Sequence, residues 1–255
     1  KQSIEEYLEL TSIANPHVLR AYIGPEGEKI EYPSAVKQLP VPPKEIKPHP
    51  HGIELGMLMK MLQDSPSRWL TGFLSSEFSR VSTRTANEIC QKASLEAKAK
   101  PREVAGTDAE ALYKAIQDTK IMAPPTDCLS PIGEQQILAG LHKQITASFY
   151  TAVTRRPAVY RGNPFVIEVG LAYGAGAAAE KAAKAAVIEG PKAEGEEDEA
   201  LGENEQARLI RYANRVPLLY QQAACATFKA VVDTNWRSYG IAQSRGALPA
   251  GPMAI

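Results

Sequence analysis

Arg211-Tyr-Ala-Asn-Arg-Val-Pro-Leu-Leu-Tyr-Gln-Gln-Ala-Ala-Cys-Ala-Thr-Phe-Lys-Ala-Val-Val-Asp-Thr-Asn-Trp-Arg-Ser-Tyr239 is the stretch around which the rest of the chain is read. Its first part is a short extended run that ends at Val216-Pro217, because proline brings no N–H to a central ladder. Residues 221–232 are small or apolar with few breaks, and Ala224, Phe228 and Val231 or Val232 recur at helical spacing. That spacing predicts a helix that presses one face onto a sheet and ends near Asp233. Behind it stand Trp236, Arg237 and Tyr239, closed by Gly240. Two readings fit this cluster. In one, Trp236 and Tyr239 are a turn that plugs a sheet edge while Arg237 is solvated. In the other, the guanidinium neutralises a phosphate while the rings pack against a sugar-phosphate chain.

Working outward, residues 208–214 read as a strand of the sheet to which residues 149–154, 158–161 and 165–173 also belong, with residues 253–255 opening another. Ser130-Pro131 is placed to cap a helix through Ile137, Leu138, Leu141 and Ile145. Residues 175–187 are alanine-rich, with Glu180 and Lys184 four apart, and read as locally helical. The acidic tract that follows, residues 189–205, has little to bury and reads as a solvated insertion.

Residues 52–120 read as all-helical. Ile53, Leu55, Met57, Leu58 and Met61 form one apolar helix; Ser65-Pro66 opens a second, lined by Trp69, Leu70, Phe73 and Leu74; Thr85-Ala-Asn-Glu88 and Thr107-Asp-Ala-Glu110 are capping boxes for two more. Ala123-Pro124-Pro125 closes this module, and Pro40, Pro42, Pro43, Pro48 and Pro50 make the stiff connector before it. At the front, Ser3-Ile-Glu-Glu6 is a capping box for a helix that stops before Asn15-Pro16. Residues 18–23 and 29–32 are strands around the turn Gly24-Pro-Glu-Gly27. A helix and a hairpin are too small to stand alone, so this opening belongs to a larger sheet.

With 255 residues, 44% hydrophobic and 23% charged, the chain suits one large or two modest domains. Formal net charge is zero, which excludes a wholly basic nucleic-acid binder, yet the acidic tract leaves the remainder net positive. No run approaches twenty apolar residues, and the start at Lys1 shows neither a signal-peptide core nor an initiator methionine. We therefore expect an excised piece of an intracellular protein, cytoplasmic, or nuclear if it comes from a plant. Cys90, Cys128 and Cys225 lie far apart and read as buried thiols rather than a disulfide framework or zinc site. His49 and His51 flank Pro50 at metal-pair spacing, without a third ligand close in sequence. No serine, histidine and carboxylate arrangement and no glycine-rich phosphate cradle is present, so no catalytic residue is assigned.

Several long, ordered blocks carry a resemblance. Asn214-Arg-Val-Pro-Leu-Leu-Tyr-Gln221, Asn235-Trp-Arg-Ser-Tyr-Gly240, Thr119-Lys-Ile-Met-Ala-Pro-Pro-Thr-Asp-Cys-Leu-Ser-Pro-Ile-Gly133, and Arg161-Gly-Asn-Pro-Phe165 with Ile167-Glu-Val-Gly-Leu-Ala-Tyr-Gly174 resemble the B subunit of the type IIB topoisomerases, DNA topoisomerase VI. The resemblance implies an α+β chain in three parts. Residues 1–44 would be the end of an ATP-binding domain of the gyrase, chaperone and histidine-kinase type plus a linker. Residues 45–122 would be a helix-two-turn-helix domain, and residues 123–255 a truncated α/β transducer domain of the ribosomal protein S5 domain 2-like kind.

The resemblance further implies ATP and Mg2+ as cofactors of the whole protein. Its implied partners are double-stranded DNA, the DNA-cleaving A subunit and a second B subunit in an A2B2 heterotetramer. The nucleotide motifs themselves are absent, so this piece is expected to be inactive as an ATPase, and the family's nucleotide-sensing lysine is expected beyond Ile255. The Trp-(Lys/Arg)-x-Tyr pattern at Trp236, Arg237 and Tyr239 implies a duplex contact. In Phe78-Ser-Arg-Val-Ser-Thr-Arg-Thr-Ala86, Arg80 and Arg84 are phosphate-contact candidates, or else ordinary solvated arginines. Ser82 stands where related modules often carry glycine. The alternative function is a non-catalytic DNA-binding or scaffold paralogue of the same fold that acts in recombination.

Overall fold

The computed structural model describes residues 4–175, 206–222 and 224–255. Ser3 of the first capping box, the helix expected at 175–187 beyond its first residue, and the acidic tract at 189–205 lie outside these residues. Among the described residues no helix is long and apolar enough to cross a membrane. Helices and small antiparallel sheets divide into two compact units. One comprises Lys1–Pro40, Pro131–Thr154 and Glu168–Ile255, the other Val41–Ser130 and Arg155–Ile167.

The first unit opens with α1 (Ile4–Ala14), which stops ahead of Asn15-Pro16 as the proline requires. The hairpin of β1 (Arg20–Ile23) and β2 (Lys29–Tyr32) follows, turning through Gly27 at φ 86°.

The second unit contains α2 (Leu55–Asp64), α3 (Leu70–Glu77), α4 (Thr83–Lys92) and α5 (Thr107–Gln117). Leu58, Leu62, Leu70, Phe73, Leu74, Ile89, Leu112 and Ile116 are wholly buried together, each contributing about 1.5–3 kcal/mol by leaving water. Phe73 and Phe78 meet edge to face at 5.7 Å. Met57 and Trp69, both expected inside, stay partly exposed.

Three expected helix starts are corrected. Ser65-Pro66 does not open α3, which begins at Leu70; Ser65 instead accepts the Ser67 N–H in a tight turn at the end of α2. The cap of α4 is Ser82, whose Oγ accepts from the Thr85 N–H, so Thr85 sits inside the helix and Glu88 pairs with Lys92 at 3.0 Å. Gly106 precedes α5 at φ 55°, and Thr107 is already its first residue.

The chain then returns to the first unit. Here α6 (Glu134–Gln144) leads into β3 (Ala147–Thr154). The β4 (Ala158–Tyr160) and β5 (Asn163–Phe165) hairpin is grouped with the helical unit and does not extend the sheet. The strand expected at 165–173 therefore splits, and β6 (Glu168–Ala175) resumes as the antiparallel partner of β3. After the short β7 (Tyr212–Ala213) and β8 (Val216–Pro217) come α7 (Ala226–Asp233) and β9 (Met253–Ala254), which pairs with β6 to give the order β3-β6-β9.

The core of this unit joins Leu10 and Ile13 of α1, Ile137 and Leu141 of α6, Ile145 after it, Ala172 and Ala254. Close packing depends on small residues. A Cβ on Gly140 would fall 2.2 Å from the Ile13 carbonyl oxygen, and one on Gly170 would meet Ile137 and Leu141 at 2.7 and 2.8 Å. The N-terminus of α6 is capped by Glu168, whose carboxylate accepts the Ile132 and Gly133 N–H groups at 2.8 and 2.7 Å and the Thr154 hydroxyl at 2.8 Å. Gly133 occupies the N-cap position, and Ser130, expected to cap this helix, donates instead to the Val41 carbonyl.

The helix expected to press on the sheet is α7. It begins at Ala226 rather than Gln221, and none of its residues is buried. Phe228, Val231 and Val232 are half-buried on one side.

Candidate nucleic-acid interface

Trp236–Tyr239 form a single 3-10 turn after α7, ended by Gly240 in the left-handed region at φ 76°. The turn is fixed from both sides. The Trp236 indole N–H donates to the Val231 carbonyl at 2.8 Å, which also accepts the Thr234 N–H at the end of α7. Arg237 donates through Nε and Nη2 to the Gln243 carbonyl at 3.0 and 2.6 Å. Gln243 in turn donates to the Val232 and Ala247 carbonyls. Trp236 is thus half-buried and anchored, Arg237 is exposed but held, and Tyr239 is 74% exposed. The indole of Trp236 thus ties the turn to the end of α7, while Arg237 and Tyr239 remain exposed. Gln243 organises the loop, and its spacing in the sequence carries no signal of that role.

In the helical unit, Arg80 and Arg84 are exposed before and within the first turn of α4. Arg80 takes the left-handed conformation at φ 61°, and its Nε donates to the Ala123 carbonyl at 3.1 Å. Ser82 is extended at φ −79°, so its presence in place of glycine strains nothing. The residue in this turn whose backbone would favour glycine is Arg80.

The ring nitrogens of His49 and His51 meet backbone groups. The Nδ1 of His49 accepts the His51 N–H, its Nε2 lies 3.0 Å from the Met122 carbonyl, and the Nε2 of His51 lies 3.0–3.1 Å from the Thr119 and Ile116 carbonyls. Burial lowers the His49 pKa, against the opposing pull of the Met122 carbonyl. The ring is packed close to Gly162, within the turn between β4 and β5: a Cβ there would meet the Gly52 nitrogen at 2.7 Å and His49 Nδ1 at 2.8 Å. That turn and the one between β7 and β8 share a geometry. Arg161-Gly162 and Asn214-Arg215 both have positive φ at each residue, the two-residue hairpin form whose twist matches the strands. Arg215 is kept there by donating to the Pro131 and Ala14 carbonyls while its own carbonyl accepts from Asn15.

No disulfide forms among the cysteines. Cys90 is buried and its pKa is pushed up by that burial. Cys225 is also buried but at the start of α7, where the Thr227 hydroxyl at 2.8 Å, then the Phe228 N–H and Arg211, pull its pKa down to about 6. Among the described residues no three His, Cys, Asp or Glu side chains gather as a metal site.

Residues 124–255 match the family model described as topoisomerase VI B subunit, transducer. The whole chain is 43% identical to the B subunit of type 2 DNA topoisomerase 6 from Methanococcoides burtonii and 44% identical to that from Archaeoglobus fulgidus, covering 37% and 38% of those proteins. The corresponding Pyrococcus abyssi protein is 32% identical over 94% of the chain and 46% of its own length. The chain thus spans less than half the length of each of these relatives. With the family model matched over more than half of its residues, the chain belongs to the topoisomerase VI B subunit family.

Proposed function

We propose that the chain is the relay portion of the B subunit of a cytoplasmic type IIB topoisomerase. In this reading the helical unit is a helix-two-turn-helix domain and the sheet-bearing unit an S5-like transducer. Together they pass ATP-driven dimerisation of the B subunits to an A subunit that cleaves and passes duplex DNA, in an A2B2 assembly that uses ATP and Mg2+ bound elsewhere. What supports it is the match along the whole chain to B subunits.

For duplex contact, the observation that carries the reading is the braced turn at Trp236–Tyr239. A guanidinium fixed by two hydrogen bonds to one carbonyl loses little further freedom on meeting a phosphate, and arginine has five N–H donors to share. Tyr239 beside it adds an exposed ring for packing on the sugar-phosphate chain. Arg80 and Arg84 are the second pair of phosphate contacts.

The test is the salt dependence of duplex binding by the chain. Arg237→Ala should reduce the slope of log K against log salt by about 0.9, one phosphate's worth. Trp236→Ala should weaken binding and also cost about 1–3 kcal/mol of stability, since it removes a hydrogen bond and a half-buried ring. An Arg237→Ala protein with the parent's affinity and slope removes Arg237 from the interface.

A further inference from the structure

The helical unit, Val41–Ser130 with Arg155–Ile167, carries fifteen Lys and Arg against eleven Asp and Glu, although the whole chain is neutral. Three of the fifteen, Arg155, Arg156 and Arg161, fall in the thirteen residues of the β4–β5 excursion, which hold no acid. All three are exposed. Among the described residues their side chains make no hydrogen bond or ion pair, and the Arg161 guanidinium lies 5.4 Å from the centre of the Tyr160 ring. The hairpin pairs with no third strand, so its edges and much of its surface are open. Ala158 stands opposite Phe165 and Tyr160 opposite Asn163, which puts Tyr160 and Phe165 on one face, 65% and 39% exposed. Arginines and aromatic rings without a carboxylate among them are the composition that suits a polyanion.

The turn adds a conformational argument. Arg161 has φ 46° at the first position of a two-residue hairpin turn, where Asn, Asp or Gly is favoured. Arg80 and Arg215 also have positive φ, but their guanidinium groups donate to main-chain carbonyls that hold them there. Arg161 has no such bond, so nothing within the hairpin offsets its strained backbone. The Arg161 and Arg80 turns are also joined by one short run of contacts. Gly162 packs on His49, whose Nε2 meets the Met122 carbonyl, and the next carbonyl, of Ala123, accepts from Arg80.

We propose that the β4–β5 hairpin is a duplex-DNA contact surface on which Arg156 and Arg161 meet phosphates and Tyr160 packs against the sugar-phosphate chain. This rests on the duplex contact proposed above for Arg80 and Arg84, and extends it to a second element of the same unit. Because the tip at Gly162 is buried against Gly52 and His49, the hairpin cannot enter a groove point first. It lies along the backbone, and contacts of that kind position a duplex without reading its sequence.

Binding of the chain to two fluorescent DNA duplexes of unrelated sequence is followed by anisotropy over a series of sodium chloride concentrations. Arg156→Ala and Arg161→Gly should each reduce the slope of log K against log salt by about 0.9, and the double variant by about 1.8, equally for both duplexes. Glycine suits the positive φ at 161, so Arg161→Gly removes the side chain without loss of melting temperature, and weaker binding is then not unfolding. Tyr160→Ser should weaken binding with the slope unchanged, since no charge is lost. Arg102→Ala, an exposed arginine elsewhere in the unit, should leave affinity and slope at parental values. An equal loss of slope in Arg102→Ala would reduce the effect to net charge and overturn the proposal. So would a polyglutamate peptide that competes as well as unlabelled duplex at equal charge, which would assign the surface to an acidic protein. A parental slope in the double variant beside a lowered one in Arg237→Ala overturns the hairpin contact and leaves the turn at Trp236–Tyr239 in place; the reverse result keeps the hairpin and removes Arg237. No duplex binding by the parent chain overturns both.

Discussion

Gly162→Ala is the sharpest probe of how the β4–β5 hairpin is built into the helical unit. Two costs follow from the structure. At φ 74° an L-residue pays about 1–2 kcal/mol for the left-handed conformation. The new methyl would also sit 2.7 Å from the Gly52 nitrogen and 2.8 Å from His49 Nδ1. One of these is backbone, and the other belongs to a ring already hydrogen-bonded at both nitrogens. Neither gives way cheaply, and forcing a methyl into packed surroundings costs about 1–3 kcal/mol. Together the expected loss is about 2–5 kcal/mol, a large fraction of what holds a domain together. Urea denaturation of the chain, followed by far-ultraviolet circular dichroism that reports chiefly on the helices, gives the number. Gly56→Ala is the control: it lies inside α2, its Cβ would meet nothing within 4 Å, and it should stabilise by up to about 1 kcal/mol. A Gly162→Ala variant within about 0.5 kcal/mol of the parent would show that the hairpin is not held against Gly52 and His49, and the packing argument would fail.

Three further outcomes are expected. Glu168→Gln keeps one carbonyl acceptor but loses the charge that faces the α6 N-terminus, and should destabilise the sheet-bearing unit by about 1–2 kcal/mol in the same denaturation assay; an unchanged midpoint would deny Glu168 its capping role. Because burial holds the folded-state His49 pKa below the usual 6.5, the unfolded chain takes up this proton first as pH falls. Its contribution to stability is complete above pH 6.5 and is lost as pH falls below that value toward the folded pKa, and a His49→Gln variant should show a shallower pH dependence over that window. Cys225 should react with iodoacetamide as a thiolate with a half-maximal rate near pH 6, Thr227→Val should move that midpoint upward, and peptide mapping separates it from Cys90. A Cys225 midpoint in the ordinary thiol range would refute the arrangement at the start of α7.

What could be read from the sequence follows the range of the forces involved. The end of α1 at Ala14 and the β1–β2 hairpin were legible because proline and turn glycines act on their own neighbours. Capping was legible as a pattern but not as a position. The capping box was read at Thr85, whereas it is the backbone of Ser82 that takes the extended conformation a cap requires. The cap of α6 lay out of reach, since Glu168 arrives from a strand remote in sequence. For α7, periodicity showed that one side is apolar, yet Phe228, Val231 and Val232 remain only half-buried, because spacing says nothing of what covers a face. At the candidate interface, Trp236, Arg237 and Tyr239 stood out by residue type, whereas Gln243 did not, because an amide that braces a loop resembles any solvated glutamine. The same holds for Arg211, whose burial arises from two carbonyls and a tyrosine that only the folded turn brings to it.

The proline-rich connectors at 40–50 and 123–125 are the places where the sequence suggests a relay would bend, and their hydrogen bonds argue for a different location. Lys44 donates its N–H to the Asp127 carbonyl, Ser130 its hydroxyl to Val41, and Arg80 its Nε to Ala123, while His49 meets Met122. From Val41 to Ser130 both connectors are therefore tied within the helical unit, and stiff proline segments tied in this way transmit displacement rather than absorb it. The chain passes between the two units at 40/41, 130/131, 154/155 and 167/168. Any rigid-body movement in the proposed relay has to be accommodated at those four crossings, since hinges are the few residues that take up the backbone change. Two of the crossings flank the β4–β5 excursion, where Arg155 donates its N–H to the Ile167 carbonyl at 2.9 Å and closes the excursion at its base. The excursion is thus part of the helical unit, closed at its base by Arg155 and Ile167 and packed at its tip through Gly162 against Gly52 and His49, so Gly162→Ala probes how it is held there.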